Sequence, residues 1–481
     1  MDHTFDVVVA GCGVAGLSAA VTAAERGLKV AVLERASRED RGGQSRYTEA
    51  YFRMKALDQV TDDFETHLAD NLGLYPEPDL MAEMATGREN WSHATRTLAI
   101  PDTEVIGNFA EQVPPTIKWL QGVGVKFDFL PTQFLTATQP RLLPVGGGAA
   151  LVDALAAQAE KLGVTFFYYT TARRLLLDDD GVVTGLFAQQ KGAKSVRFYG
   201  KVVLACGGFE GNPALQSKYI GPRSVYLRPI CKGAYFNRGE GIEMALDIGA
   251  APSGDFGSYH AEPIDPRSGV SEPSVFIFPY GILVNKAGKR FVNEAPGTVD
   301  AWYERITRRI YEQEEGLSYV ILDQRMKDIP NYRLAIRSDQ PAIEADTIEA
   351  LAAKLDIHPQ TLKETVAQYN AACPTTGNYD PLKTDGMATQ GLMPAKSNWA
   401  LPLDRGPFMA YPIISANVFT FGGLKVDPQG QVLDTDGYAI PNLYAAGEVI
   451  GMYYTNYTGA TSVLKGLVFG RLAANNIADR A

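Results

Sequence analysis

The chain has 481 residues, of which 46% are hydrophobic and 21% are charged, a composition typical of a soluble globular protein with enough core for several domains. Its net charge of −10, without a basic block, argues against a nucleic-acid partner, and no apolar run reaches the ~18 residues of a membrane span. The four cysteines form no CxxC pair and the five histidines show no metal-binding spacing, so we expect neither disulfides nor a metal site.

The first predicted element is a β-α-β unit over residues 5–34. The apolar run Phe5–Ala10 predicts a buried parallel strand, and it begins so close to the first residue that we expect no signal peptide and a cytoplasmic protein. Apolar residues then recur at helical spacing until Gly27, and a second apolar run stops at Glu34.

A glycine-rich turn, GCGVAG at residues 11–16, joins that strand to the helix. Gly11 permits the tight turn, Gly13 lets the backbone approach a pyrophosphate, and Gly16 lets the helix pack closely on the strand. The helix N-terminus favours phosphate, and an acid at the end of the second strand suits a ribose hydroxyl. The unit predicts a dinucleotide site made of Gly11, Gly13, Val14, Ala15, Gly16, Glu34 and Arg35.

The next stretch, RGGQS, is typical of a loop that wraps a phosphate, and it adds Gly42, Gly43, Gln44 and Ser45 to the predicted site. Turn residues and apolar periodicity predict the remaining elements. Predicted helices occupy most of residues 55–125, follow the glycine-rich loop at 143–148, follow Asn237–Gly241, span 359–373 and begin near Ser462. Predicted strands lie at 164–169, 175–187 with a hairpin turn at Asp180-Gly181, 201–205, 281–291 as a hairpin, and 442–446.

Taken together, GxGxxG, the acid and RGGxS resemble the flavoprotein family of fumarate reductases, succinate dehydrogenases, 3-ketosteroid dehydrogenases and tricarballylate dehydrogenases. The sequence RGGQSR at residues 41–46 is most similar to the tricarballylate dehydrogenase branch, and the resemblance covers nearly the whole chain. It implies an α/β fold: a glutathione-reductase-like Rossmann FAD-binding domain at 1–258 and 412–481, with an inserted α+β capping domain at 259–411.

The resemblance also implies which further residues bind FAD. They are Gly147, Gly148, Ala172, Ala205, Gly207, Gly208, Asn237, Gly239, Gly447, Glu448, Ser462 and Val463. No histidine lies between Glu34 and Arg46, where membrane-bound succinate dehydrogenases attach the flavin covalently, so we expect non-covalent FAD. No second dinucleotide fold is evident, so NAD(P)H is not expected as a bound partner.

Members of this family move a hydride between the flavin and a substrate carbon while a side chain moves a proton at the adjacent carbon. Soluble fumarate reductases use an arginine that follows the sequence RFVNE, which is present here at residues 290–294. Counting forward places Thr298 at that position and counting back from the next strand places Tyr303 there, with Arg305 close by. Because neither is arginine, fumarate reduction is not favoured.

Two carboxylate-binding positions of the fumarate reductases are also changed. Their histidine is replaced by Phe419 and their arginine by Tyr457, whose YTGA context resembles the YPGxG of ketosteroid dehydrogenases. His260 lies where fumarate reductases have a substrate-binding histidine. The catalytic candidates are therefore Tyr457, His260, Tyr303 and Arg305, with Arg308, Arg309 and Arg405 as further possible carboxylate ligands.

We predict an FAD-dependent oxidoreductase that introduces or reduces a C=C bond next to a carboxylate or carbonyl, with a tricarballylate-like polycarboxylate as the leading substrate. The alternatives are a 3-ketosteroid or cyclic enone dehydrogenase, a fumarate-reductase-like ene-reductase, an O₂-using flavin oxidase or hydroxylase, and a flavin-bearing subunit without activity. A polycarboxylate requires two or more arginines or lysines in the cap pocket, whereas a ketone requires an apolar pocket with few cations. The electron donor or acceptor and the oligomeric state stay open.

Overall fold

The computed structural model describes residues 2–71, 77–192 and 195–480, and two sheets organise it, one of eight strands and one of six. The elements before residue 258 are β1 (Asp2–Ala10), α1 (Val14–Glu25), β2 (Val30–Leu33), β3 (Met54–Ala56), β4 (Gln59–Val60), α2 (Phe64–Ala69), α3 (Pro78–Met84), α4 (His93–Thr97), α5 (Thr103–Gly122), β5 (Phe127–Asp128), β6 (Leu143–Pro144), α6 (Gly147–Lys161), β7 (Thr165–Phe167), β8 (Thr170–Leu177), β9 (Val183–Gln190), β10 (Val196–Leu204), α7 (Pro213–Tyr219), β11 (Arg228–Pro229), α8 (Glu240–Leu246) and β12 (Pro252–Ser253). The later elements are β13 (Tyr259–Ile264), β14 (Ile282–Asn285), α9 (Val299–Tyr311), β15 (Leu317–Leu322), β16 (Ile343–Ala345), α10 (Ile348–Lys354), α11 (Pro359–Ala372), β17 (Phe408–Thr420), β18 (Gly423–Leu424), β19 (Gln431–Leu433), β20 (Ala439–Ala445) and α12 (Ser462–Asp479).

The eight-stranded sheet has the strand order β19-β20-β10-β1-β2-β7, with the β8–β9 hairpin paired to β10. Strands β20, β10, β1 and β2 are parallel, and their last residues are in register: Ala445 with Leu204, Leu204 with Ala10, and Ala10 with Leu33. Four carboxyl ends therefore meet at one edge of the sheet. In open α/β sheets this edge is where ligands bind.

Helices α1 and α12 pack together behind that edge. A Cβ added at Gly470 would overlap the carbonyl oxygen of Ala15, and one added at Gly466 would lie 3.4 Å from the Ala15 Cβ. Small residues thus allow the two helices to approach closely along the first half of α12. As a result, the N-termini of both helices lie at the same edge of the sheet.

The six-stranded sheet is built around β17, which pairs with β11, β13, β15 and β16, while β14 pairs with β15. Helix α9 packs against this sheet through its buried side, which includes Tyr303 and Ile306. Strand β17 continues unbroken across the predicted boundary at 411/412. The domain limits 1–258, 259–411 and 412–481 stay a prediction.

The structure agrees with most of the predicted elements. The helix at 359–373 is α11, the hairpin turn at Asp180-Gly181 joins β8 to β9, and Val284 bridges Arg290 in the 281–291 hairpin. The 55–125 region begins with the short β3–β4 pair and then contains α2 to α5; its residues 72–76 lie outside the described part of the chain. Across the described ranges, every helix is too short or too polar to span a membrane.

Candidate active site

A cavity of about 210 Å³ lies at the carboxyl edge of the parallel strands. We call one part the dinucleotide half, which is lined by the ends of β1, β2, β10 and β20, the 42–45 loop and the start of α12. We call the other part the cap half. It is lined by Tyr51, Gln133, Phe134, Arg141, His260, Glu262, Glu272, Tyr303, Phe419 and Tyr457.

Most of the predicted dinucleotide residues line this cavity. They are Gly11, Gly13, Val14, Ala15, Glu34, Arg35, Gly42, Gly43, Gln44, Ser45, Ala172, Ala205, Gly207, Asn237, Gly447, Glu448, Ser462 and Val463. Five others stand behind its wall, namely Gly16, Gly147, Gly148, Gly208 and Gly239. Their assignment to the FAD site stays a prediction.

Three of these five glycines show what that packing requires. A Cβ at Gly16 would overlap the carbonyl oxygen of Gly11, and a Cβ at Gly148 would overlap that of Ser45. A Cβ at Gly208 would overlap the Glu448 carboxylate. Each of these glycines therefore allows the close packing of a segment that does line the cavity.

The turn between β1 and α1 has the form that a pyrophosphate requires. Helix α1 starts after Gly13 without a capping bond from that residue and without an acid in its first turn, and the amide of Val14, its first residue, donates to Ser45 Oγ (3.3 Å) at the cavity wall. Gly13 also leaves space, because an added Cβ would stand 3.2 Å from Ser45 Oγ. Glu34 accepts hydrogen bonds from the amides of Cys12 (3.1 Å) and Ala36 (2.7 Å), which fixes its carboxylate at the wall.

A buried carboxyl pair that the sequence did not reveal lies beside the β20 end. Asn237 Nδ2 donates to Glu210 Oε1 (2.6 Å) and to Glu448 Oε2 (3.3 Å), and Glu448 Oε1 accepts from the amide of Thr420 (2.8 Å). Burial and the charge of Glu448 hold the pKa of Glu210 well above its usual range. A protonated Glu210 therefore allows two carboxyl groups to stay side by side.

The cap half brings together His260 from β13 and Tyr303 from α9. His260 Nε2 and the Tyr303 hydroxyl are 2.6 Å apart, and both side chains are buried. Burial, with a smaller effect of the Arg308 charge, lowers the pKa of His260 to about 3. Burial also raises the pKa of Tyr303 well above 10, so the histidine is neutral and the tyrosine is protonated at neutral pH.

The tautomer of His260 decides which way this hydrogen bond points. His260 Nδ1 is buried and, among the described residues, has no hydrogen-bond partner. An unpaired N–H costs more in such a place than an unpaired ring nitrogen that only accepts. The proton is therefore assigned to Nε2, which donates to the Tyr303 oxygen and leaves the Tyr303 O–H free to point into the cavity.

Aromatic side chains enclose this pair. The ring of Tyr457 lies 4.4 Å from that of His260 and 5.0 Å from that of Phe419. The Tyr457 hydroxyl accepts from the amides of Thr461 and Ser462, each at 3.1 Å. Tyr457 is thus a wall of the cap half whose oxygen holds the first turn of α12; its predicted role in moving a proton stays a prediction.

The structure does not bring the candidate arginines to the cavity. Arg305 is exposed over the ring of Trp302, because it follows Tyr303 by two residues and so points to the opposite side of α9. Arg309 and Arg405 are also exposed, and Arg308 pairs with Glu304 at 3.0 Å. None of the four lines the cavity within the described ranges.

Arg141, which the sequence did not single out, lines the cap half instead. It comes from the loop before β6 and forms an ion pair with Asp300 at 3.1 Å. Its guanidinium lies 5.5 Å from the centre of the Phe134 ring. No local pattern marks this residue, because its partner lies 159 positions away in the chain.

Two buried acids, Glu262 and Glu272, also line the cap half. Ser274 Oγ donates to Glu262, and Arg337, which also binds Glu49, lies 3.0 Å from Glu272. Burial raises the pKa of Glu262 to about 7. Burial and the nearby charge of Glu262 raise the pKa of Glu272 to about 8. Since Glu262 follows His260 by two residues on β13, strand alternation could have placed it on the same face.

The family model described as an FAD binding domain matches residues 6–464. The chain belongs to this family. The vinyl phenol reductase of Lactiplantibacillus plantarum is 28% identical to this FAD-binding chain, over 92% of the chain and 89% of that protein. The 3-oxosteroid 1-dehydrogenase of Mycobacterium tuberculosis is 26% identical, over 99% of both. A flavocytochrome c3 fumarate reductase in an open conformation matches with a TM-score of 0.74 at 23% identity, over 99% of this chain and 78% of that one.

These matches confirm the predicted family, the Rossmann FAD-binding fold with an inserted cap, and the cofactor. The chain is an FAD-dependent oxidoreductase that acts on CH–CH and C=C groups. The dinucleotide half fits FAD, because its glycine turn, the start of α1 and Glu34 supply what a dinucleotide needs. Non-covalent attachment and the cytoplasmic location stay predictions.

We expect the pH dependence of stability to change when Glu262 is replaced by glutamine. The pKa of Glu262 is raised from 4.5 to about 7, so between these values the folded protein binds more protons here than the unfolded chain. The stabilisation is complete below the lower value and is lost as pH rises through the higher one. Thermal unfolding between about pH 5 and pH 8 should show a smaller fall in Tm for Glu262→Gln than for the unchanged protein.

Glu111→Gln on the exposed face of α5 is the matched control and should follow the unchanged protein at every pH. Identical Tm profiles for Glu262→Gln and the control would show that Glu262 is already ionised in the folded state.

Proposed function

We propose that this enzyme interconverts a C=C bond and a CH–CH bond in a ring-bearing substrate that has a single oxygen function in conjugation with that bond. The observation that supports it is the His260–Tyr303 hydrogen bond inside an aromatic pocket that contains one arginine. The names of two relatives agree with this class, since a vinyl phenol and a 3-oxosteroid each place an oxygen function on a ring.

The charges of the cap half favour this class over the polycarboxylate predicted from the sequence. Among the described residues that line the cap half, Arg141 is the only arginine or lysine, and one end of its guanidinium pairs with Asp300. Glu262 and Glu272 add acids rather than cations. A tricarballylate-like substrate would need two or more free cations, because each carboxylate loses its hydration on entry.

Tyr303 is the proton donor in our proposal. Bound FAD supplies or accepts the hydride, and the protein supplies the proton for the adjacent carbon. The raised pKa of Tyr303 keeps its hydroxyl protonated, and the Nε2–H of His260 stabilises the oxygen as the proton leaves. In the reverse direction the same oxygen accepts the proton. The rings of Phe419 and Tyr457 exclude water from this step.

An anaerobic titration of the FAD-bound protein tests the proposal. We expect dithionite-reduced protein to be reoxidised by one or more of cinnamate, 4-vinylphenol and 2-cyclohexenone, followed by the return of oxidised-flavin absorbance. We expect fumarate to be inactive, and tricarballylate not to bleach the oxidised protein. If tricarballylate bleached the oxidised flavin and none of the three unsaturated compounds reoxidised the reduced flavin, the proposal would be refuted and the polycarboxylate hypothesis supported. Rapid reoxidation by air, with no response to any of the three compounds, would indicate an oxidase.

A further inference from the structure

We propose that Arg141 binds the substrate, and that the oxygen function it recognises is a single carboxylate. This inference rests on the proposed function and narrows its substrate class to an α,β-unsaturated monocarboxylate. It starts from an unused donor: Arg141 Nε is buried and, in the part of the chain that the structure describes, has no hydrogen-bond partner. A buried N–H without a partner has lost its hydrogen bond to water and regains one only when a ligand or a water molecule accepts from it.

The remaining contacts of Arg141 hold it in place for a ligand. Asp300 fixes one end of the guanidinium, and it also accepts from the amide of Thr138 (2.9 Å) and from the hydroxyl of Thr298 (2.8 Å). The carboxylate of Asp300 is thus held by Thr138, in the loop before β6, and by Thr298, the residue before α9. Asp300 therefore restricts the Arg141 side chain to one orientation, as a preorganised binding group requires.

Gly459 provides the space that this arginine needs. An added Cβ at Gly459 would lie 3.2 Å from Arg141 Nη1, which is closer than most side-chain contacts. The glycine of the YTGA stretch therefore lets the guanidinium reach the segment that follows Tyr457. The planar fork of arginine suits a carboxylate better than a ketone, because a carboxylate accepts two parallel hydrogen bonds.

The position of Arg141 relative to Tyr303 suits the chemistry of an enoate. Both side chains flank Phe134. The guanidinium carbon of Arg141 lies 5.5 Å from the centre of the Phe134 ring, and the centres of the Phe134 and Tyr303 rings are also 5.5 Å apart. When a hydride adds to the β carbon of an enoate, negative charge builds on the carboxylate, where Arg141 would stabilise it. The α carbon then takes the proton, which Tyr303 supplies. Tyr51, whose ring is 5.8 Å from that of Phe134, extends the aromatic wall for a ring substituent.

The test is a binding measurement that does not depend on turnover. The probes are 3-phenylpropanoate and its amide, titrated into the FAD-bound protein and followed by the flavin difference spectrum. We expect the acid to bind about 100-fold more tightly than the amide, and Arg141→Met to remove this preference. Because Arg141→Met alone leaves Asp300 buried without its partner, the double variant Arg141→Met/Asp300→Asn is measured beside it.

The exposed Arg405→Met is the matched control, and it also tests the carboxylate role predicted for Arg405 from the sequence. It should keep the preference for the acid. Equal affinity for acid and amide in the unchanged protein, binding of neither probe, or an acid preference retained in the double variant would each overturn the inference. These results are separate from the reoxidation titration, whose failure would refute the proposed function instead.

Discussion

Replacing Tyr303 by phenylalanine is expected to lower kcat by about 1000-fold, while FAD stays bound. The phenylalanine keeps the ring that packs against Phe134 and Phe276 but removes the hydroxyl that His260 holds at 2.6 Å. The substrate would then lose its proton donor without losing its pocket. We therefore expect KM to change by no more than about threefold, because the hydroxyl acts mainly in the transition state.

The measurement is steady-state kinetics with whichever unsaturated compound reoxidises the flavin, together with the flavin-to-protein absorbance ratio. Tyr311→Phe is the matched control, because Tyr311 lies on the same helix and its buried hydroxyl has no hydrogen-bond partner among the described residues. That control should keep its kcat within about twofold. If Tyr303→Phe retained full kcat, the proton would have to come from another group, and Tyr457 would be the next to examine.

Gly11→Ala is expected to abolish FAD retention and to lower Tm by about 10 °C or more. Gly11 has a φ of +109°, which side chains rarely adopt, and its added Cβ would overlap the carbonyl oxygen of Ala205. Relief of that overlap must separate β1 from β10 at their carboxyl ends, where Ala10 pairs with Leu204. The turn that receives the pyrophosphate would be distorted by the same shift.

Gly27→Ala separates the effect of a positive φ from the effect of the overlap with a neighbouring strand. Gly27 also has a positive φ, +83°, but among the described residues no atom lies within 4 Å of its added Cβ. This variant should lose roughly 1 kcal/mol and keep its FAD. If Gly11→Ala unfolded no earlier than Gly27→Ala and kept its flavin, the close approach of β1 to β10 would not be essential. Thermal unfolding and the flavin content of the purified proteins provide the comparison.

The dinucleotide half could be predicted from sequence because its determinants are local. Gly11, Gly13 and Glu34 lie within one β-α-β unit, where turn geometry and strand length fix their relative positions. The cap half depends on contacts between distant segments. His260 and Tyr303 are 43 residues apart, so spacing could name both but could not pair them.

The register after RFVNE shows the limit of counting residues. Counting forward reached Thr298 and counting back reached Tyr303, and only the three-dimensional arrangement distinguishes them. Thr298 precedes α9 and donates to Asp300, whereas Tyr303 is on the buried face of the helix and lines the cavity. Proximity in sequence makes Arg305 a candidate, yet a helix turns by about 100° per residue and directs this side chain outward.

Strand β17 has a consequence for the construction of chimeric enzymes. It pairs with β15 from Met409 to Ile414 and with β13 from Ile414 to Thr420, and it ends beside Glu448. A cap exchanged between relatives at 411/412 would join two half-strands from different parents inside one continuous ladder. A crossover placed beyond Phe421 would instead transplant the cap with its own strand, so that β17 keeps its pairings with β13, β15 and β16, and the pairing of β17 with β11 would join the two parents.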